Sequence, residues 1–139
     1  MNKIKSTTVP IGVLLIAVFY IFGAIALLIL LFVNPQPAAV AIAMRHGLPA
    51  STGNWILPVI AGVGLIIAYG LLSLSRWGFY LTIAYLLYFG IVNLYMSDAT
   101  WVSVYCGDAI WSFLVIVYLI LIRRRFFGER EINKMKEQA

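Results

Sequence analysis

Asn93 and Asp108 are the residues most suited to chemistry, because each falls inside a stretch that is otherwise apolar and free of Lys, Arg and Glu. A polar group in an apolar span is costly to bury, so it is a functional candidate by default, as a ligand contact, a proton site or a bond between helices. Ser112 follows Asp108 by one helical turn, and Tyr85, Phe89 and Asn93 recur at a spacing that puts them on one helix face. A short turn between the two segments brings Asn93 and Asp108 to similar depth, where a hydrogen bond between them is expected. His46, Cys106 and Asp108 supply the ligand types that zinc or copper uses, but one His and one Cys so far apart form no metal motif. A chance grouping is the simpler expectation, and no cofactor is predicted. Cys106 is the sole cysteine, which leaves no disulfide within the chain.

Composition sets the elements that must carry these residues. The 139-residue chain is 63% hydrophobic and 11% charged, whereas a soluble domain averages about 45–50% and about 25%. Crossing a bilayer core takes roughly 20 apolar residues, and four stretches approach that length: about 10–33, 55–75, 79–96 and 102–122. The expected fold is an all-α membrane protein with four transmembrane helices in an up-down bundle. The first run is longer than the roughly 7–15 residues of a signal-peptide core, so it reads as a retained helix. Pro35, Pro37, Pro49 and Gly53 punctuate the outer segment 34–54. Between them Ala38 to Met44 is apolar but far too short to span. It predicts a short interfacial or re-entrant helix ending at Arg45-His46-Gly47.

Orientation follows from the basic residues, which cytoplasmic segments retain. Lys3, Lys5, Arg76, Arg123, Arg124, Arg125, Arg130, Lys134 and Lys136 share one side of this arrangement, and Arg45 stands opposite. The N-terminal segment 1–9, the turn Ser75 to Gly78 and the basic tail 127–139 are therefore expected on the cytoplasmic side of the plasma membrane. The net charge of +5 is topological, and no nucleic-acid partner is expected. Arg123, Arg124 and Arg125 form a juxtamembrane cluster able to attract lipid headgroups, with simple anchoring the plainer role. Trp55, Tyr95, Trp101 and Tyr105 are expected at the outer interface, and Trp77, Phe79, Tyr80, Phe126 and Phe127 at the inner one. His46 is expected to sit at the interface, beside Arg45.

Several short segments resemble a family of small four-helix membrane proteins common in archaea and some bacteria. They are Thr8-Val9-Pro10-Ile11-Gly12-Val13, Ile21-Phe22-Gly23-Ala24-Ile25, Ala68-Tyr69-Gly70-Leu71-Leu72, the basic residue and Trp77 that follow, Gly107-Asp108, and the basic end from Arg123 to Gly128. Similarity covers nearly the whole chain except the outer loop. It implies the four-helix fold; the family has no established activity, and no functional residue carries over. Relatives tend to have Asn where Asp108 stands, which points to a role particular to this chain.

The sequence has no GxSxG, P-loop, HExxH or paired carboxylates, and its sole His lies in a loop, so an enzyme is not expected. A non-catalytic accessory or scaffold subunit of a larger membrane complex is the first expectation, with membrane lipids, that complex or a homo-oligomer as partners. The alternative is a stand-alone protein binding a small molecule, lipid or metal through the outer polar residues.

Overall fold

The computed structural model describes residues 8–97, 104–128 and 137–139. Lys3, Lys5, Asp98, Trp101, Arg130, Lys134 and Lys136 lie outside the described residues, as does the start of the fourth expected span. Among these described residues six α-helices and one 3-10 turn follow in order: α1 (Ile11–Val33), α2 (Pro35–Arg45), the 3-10 turn Ala50–Thr52, α3 (Ile56–Leu72), α4 (Arg76–Met96), α5 (Val104–Leu121) and α6 (Arg124–Phe127). Among the described residues, α1 and α4 are long and apolar enough to cross a membrane. The helix α3 and the segment Tyr105–Leu121 of α5 are apolar but shorter.

The break between α1 and α2 is written in Asn34-Pro35. A residue before proline is driven out of helical conformation, and Asn34 has φ −151° and ψ 65°. Proline is itself well suited to the first helical position, where its missing N–H is not needed. Consequently α2 starts at once and folds back along α1: Leu27 and Leu31 of α1 pack with Ala39 and Ile42 of α2, and with Ile56 and Leu57 of α3. Gly47 ends α2. Its φ of 69° is left-handed, while Leu48 N–H donates to Ala43 O (2.9 Å) and Gly47 N–H to Met44 O (3.0 Å), the paired bonds of a Schellman cap.

The main core joins Val13, Ile16 and Ala17 of α1 to Ile67, Ala68 and Leu71 of α3, with Leu86 of α4 and Leu119 of α5 completing it. At one end α3 and α4 touch backbone to backbone. A Cβ on Gly70 would lie 2.6 Å from the Gly78 Cα, and one on Gly78 would collide with the Gly70 backbone. The link between them is a second Schellman cap: Ser75 N–H donates to Gly70 O (3.2 Å) and Leu74 N–H to Leu71 O (3.0 Å). Leu74 takes the left-handed position at φ 48° and packs its side chain on the core, which glycine could not do.

Two sequence expectations change here. The third helix begins at Arg76 rather than 79, because Ser75 caps it by accepting from Gly78 N–H (3.2 Å); the turn is thus Ser73 to Ser75. The tail does not simply leave the bundle at 127. Arg124–Phe127 forms α6, which turns Phe126 into the core against Phe79 at 5.3 Å between ring centroids. Phe79 and Phe126 are accordingly buried, whereas Arg123, Arg124 and Arg125 stay exposed.

Gly70→Ala or Gly78→Ala is expected to lower stability by about 1–3 kcal/mol through overpacking. Gly62→Ala, at a position with open space around it, is the control that should leave it unchanged. Thermal unfolding in detergent measures all three.

Candidate functional site

A helix that ends inside an apolar bundle leaves its last carbonyls without partners. In α2 those are met by side chains of α4. Asn93 Nδ2 donates to Arg45 O at 3.0 Å and to Phe89 O, one turn back on its own helix, at 2.8 Å. The Tyr88 hydroxyl donates to His46 O at 2.6 Å. His46 Nδ1 lies 2.8 Å from Ile42 O, and since a carbonyl can only accept, Nδ1 carries the proton. Nε2 of the neutral ring then accepts from the Tyr85 hydroxyl at 3.0 Å. Phe89 stacks beside Tyr85 (5.9 Å, 8° between planes) and lies 5.0 Å from the imidazole.

The shared face of Tyr85, Phe89 and Asn93 is therefore the face that receives α2. His46 is buried, at the level of Tyr85 and Phe89, which lie about 14–20 Å along α4 from its Arg76 end at 1.5 Å per residue.

With its backbone pinned, Arg45 extends across the bundle. Its Nε lies 3.4 Å from Asp108 Oδ2 on α5, and the two side chains are 38% and 24% exposed. That oxygen has no hydrogen bond, so the contact is a loose charge pair. Ser112 Oγ donates to Asp108 O on its own helix (2.8 Å) and is buried under Gly90. The hydrogen bond expected between Asn93 and Asp108 is not formed. Arg45 comes between them, taking the Asn93 amide on its carbonyl and the carboxylate on its guanidinium, and Asn93 Oδ1 is left buried without a partner. No group of three His, Cys, Asp or Glu side chains converges among the described residues. Cys106 is a half-buried free thiol, and both His46 ring nitrogens are already engaged.

Arg45 and Asp108 border a cavity of about 360 Å³. Tyr20, Phe89, Leu86, Ile60, Phe19 and Trp111 supply most of its apolar and aromatic wall. Several lining residues on α1 (Phe19, Gly23, Ala26, Leu30), and Trp111 on α5, are also exposed on the outside of the bundle, so the mouth lies along the α1–α5 seam. Phe19 and Trp111 meet across that seam at 5.1 Å. Sequence reasoning did not single out Arg45 as a site residue, although it was the one basic residue on the wrong side of the charge asymmetry. No protein-family model, curated protein or solved structure matches the chain.

Both imidazole nitrogens are committed to a neutral ring in the fold, Nδ1 donating to Ile42 O and Nε2 accepting from Tyr85, whereas the unfolded chain protonates it at about pH 6.5, so its stabilisation is complete above that pH and is lost progressively as pH falls below it. Unfolding temperatures of the native chain are expected to decline from pH 7.5 to pH 5.5 by more than those of His46→Gln. Parallel pH profiles for the two would contradict the buried neutral ring.

Proposed function

We propose that this chain is a four-span membrane protein that binds a small amphipathic molecule in the cavity beside α2, with access from the lipid. The observation that carries this is the cavity itself: its volume lies within the roughly 300–1,000 Å³ usual for ligand sites, and an otherwise apolar wall holds one charged pair. Irregular backbone at membrane depth is tolerated where it lines a cavity or is buried in protein, and α2 meets both conditions. Half-helix ends near the bilayer midplane are where membrane binding proteins and transporters place their ligands.

In this reading α1, α3, α4 and α5 each cross once and α2 is re-entrant from the outer side. At about 26–27 Å of helix, α3 and α5 are somewhat short for a typical core, and Trp55 and Tyr105 at their ends suit the interface. The turn at Arg76 and the exposed Arg123 to Arg125 would then face the cytoplasm. Of the two functions anticipated from sequence, the stand-alone binder gains a specific feature from the cavity. The exposed apolar faces of α1 and α4 suit lipid as well as they suit a partner complex.

Gly23 borders the cavity, and a Cβ added there would meet nothing within 4 Å, so Gly23→Phe should fill the space without straining the core. Native mass spectrometry of the chain extracted in a maltoside detergent is expected to show one retained amphiphile. Gly62→Phe, with open space but outside the cavity, should keep it, and Gly23→Phe should reduce its occupancy about tenfold, roughly 1.4 kcal/mol. Equal occupancy in all three, or none in the native chain, would refute the proposal.

A further inference from the structure

The charge of the site and the shape of the seam define what the cavity takes. Arg45 contributes one positive charge, Asp108 one negative, and His46 is neutral, so the site has no net charge. Bringing a singly charged group into a low-dielectric site adds an uncompensated charge, which is strongly unfavourable. A headgroup carrying both signs adds none. Its anion can take the guanidinium, whose Nε now makes a single loose contact, and its cation can lie against the accessible side of the Asp108 carboxylate. Rings of Tyr20, Tyr85, Phe89 and Trp111 line the same space, and aromatic faces attract cations.

The seam continues beyond the cavity. On the other side of Phe19 and Trp111 runs a second, apolar hollow of about 220 Å³, lined by Gly12, Leu15, Leu114 and Tyr118, with Trp111 bordering both. From Asp108 to Tyr118 is about 15 Å of helix, a length suited to an acyl chain. Gly12 is required at the far end because the Tyr118 ring occupies the place a Cβ would take.

We infer that the ligand is a single-chain zwitterionic amphiphile, with its phosphate on Arg45, its ammonium on Asp108 and its acyl chain along the α1–α5 seam. The inference rests on the binding function proposed above and narrows its ligand class. No covalent step is involved.

The test uses the purified full chain in a maltoside detergent with four probes: lysophosphatidylcholine, lysophosphatidic acid and an alkyltrimethylammonium of matched chain length, and free phosphocholine without a chain. The native chain is expected to bind the zwitterionic lipid at least about tenfold more tightly than either singly charged one, and phosphocholine far more weakly still. Arg45→Gln leaves a net negative site and should turn the preference towards the cation; Asp108→Asn leaves a net positive site and should turn it towards the anion. A native chain that binds an anionic or cationic amphiphile as tightly as the zwitterion overturns the inference, as does phosphocholine binding as tightly as the lipid. The native comparison stands even if a variant fails to fold. Absence of binding by all four probes would instead remove the cavity's binding function itself.

Discussion

The arrangement depends on how the end of α2 is satisfied inside the bundle. A helix terminus leaves carbonyls that water would normally solvate, and an unpartnered buried carbonyl costs about 1–3 kcal/mol. Here Asn93 and Tyr88 donate to Arg45 O and His46 O, and the imidazole donates back to Ile42 O. Because those donors come from one face of α4 and from the cap residue itself, the depth and rotation of α2 are set together. Arg45 is thereby aimed at Asp108, and the imidazole is held in the one tautomer that its two partners permit.

Packing at the two ends of the bundle supports this wedge. Near Arg76 the Gly70–Gly78 contact draws α3 and α4 together until their backbones touch, and Phe126 of α6 closes over Phe79. At the opposite end α2 is inserted between α1, α3 and α4, with small residues such as Ala39 and Ala43 at the contact. The bundle is tight where glycines meet and open where the short helix enters. What α2 does not fill becomes the cavity, and Phe19 and Trp111 meet on the α1–α5 seam between that cavity and the apolar hollow beyond it.

Much of the helical order was legible in the sequence. The four apolar stretches correspond to α1, α3, α4 and α5, and the prolines around the outer segment marked a short helix ending at Arg45-His46-Gly47, where α2 does end. Asn93 and Asp108 stood out because polar atoms in apolar helices need partners. Their partner was misread: adjacency in sequence suggested a direct bond across the α4–α5 turn, whereas the residue between them comes from more than forty positions earlier. Such a long-range contact leaves no local pattern. Its only trace was compositional, in Arg45 as the lone exception to the charge asymmetry. The helix α6 was missed because three arginines dominate its hydropathy, and only its two phenylalanines record that it folds back on the core.

The depth of α2 can be measured directly. In a Cys106→Ala background, Gln36→Cys, Met44→Cys and Ser51→Cys place single thiols at the start of α2, near its end and in the 3-10 turn, all at positions exposed on the protein surface. Labelled from the outside of intact vesicles with a membrane-impermeant maleimide, positions 36 and 51 should react and position 44 should stay silent, because it faces lipid at depth. Reaction at position 44 as fast as at 51 would place α2 on the membrane surface and contradict the re-entrant helix on which the site depends.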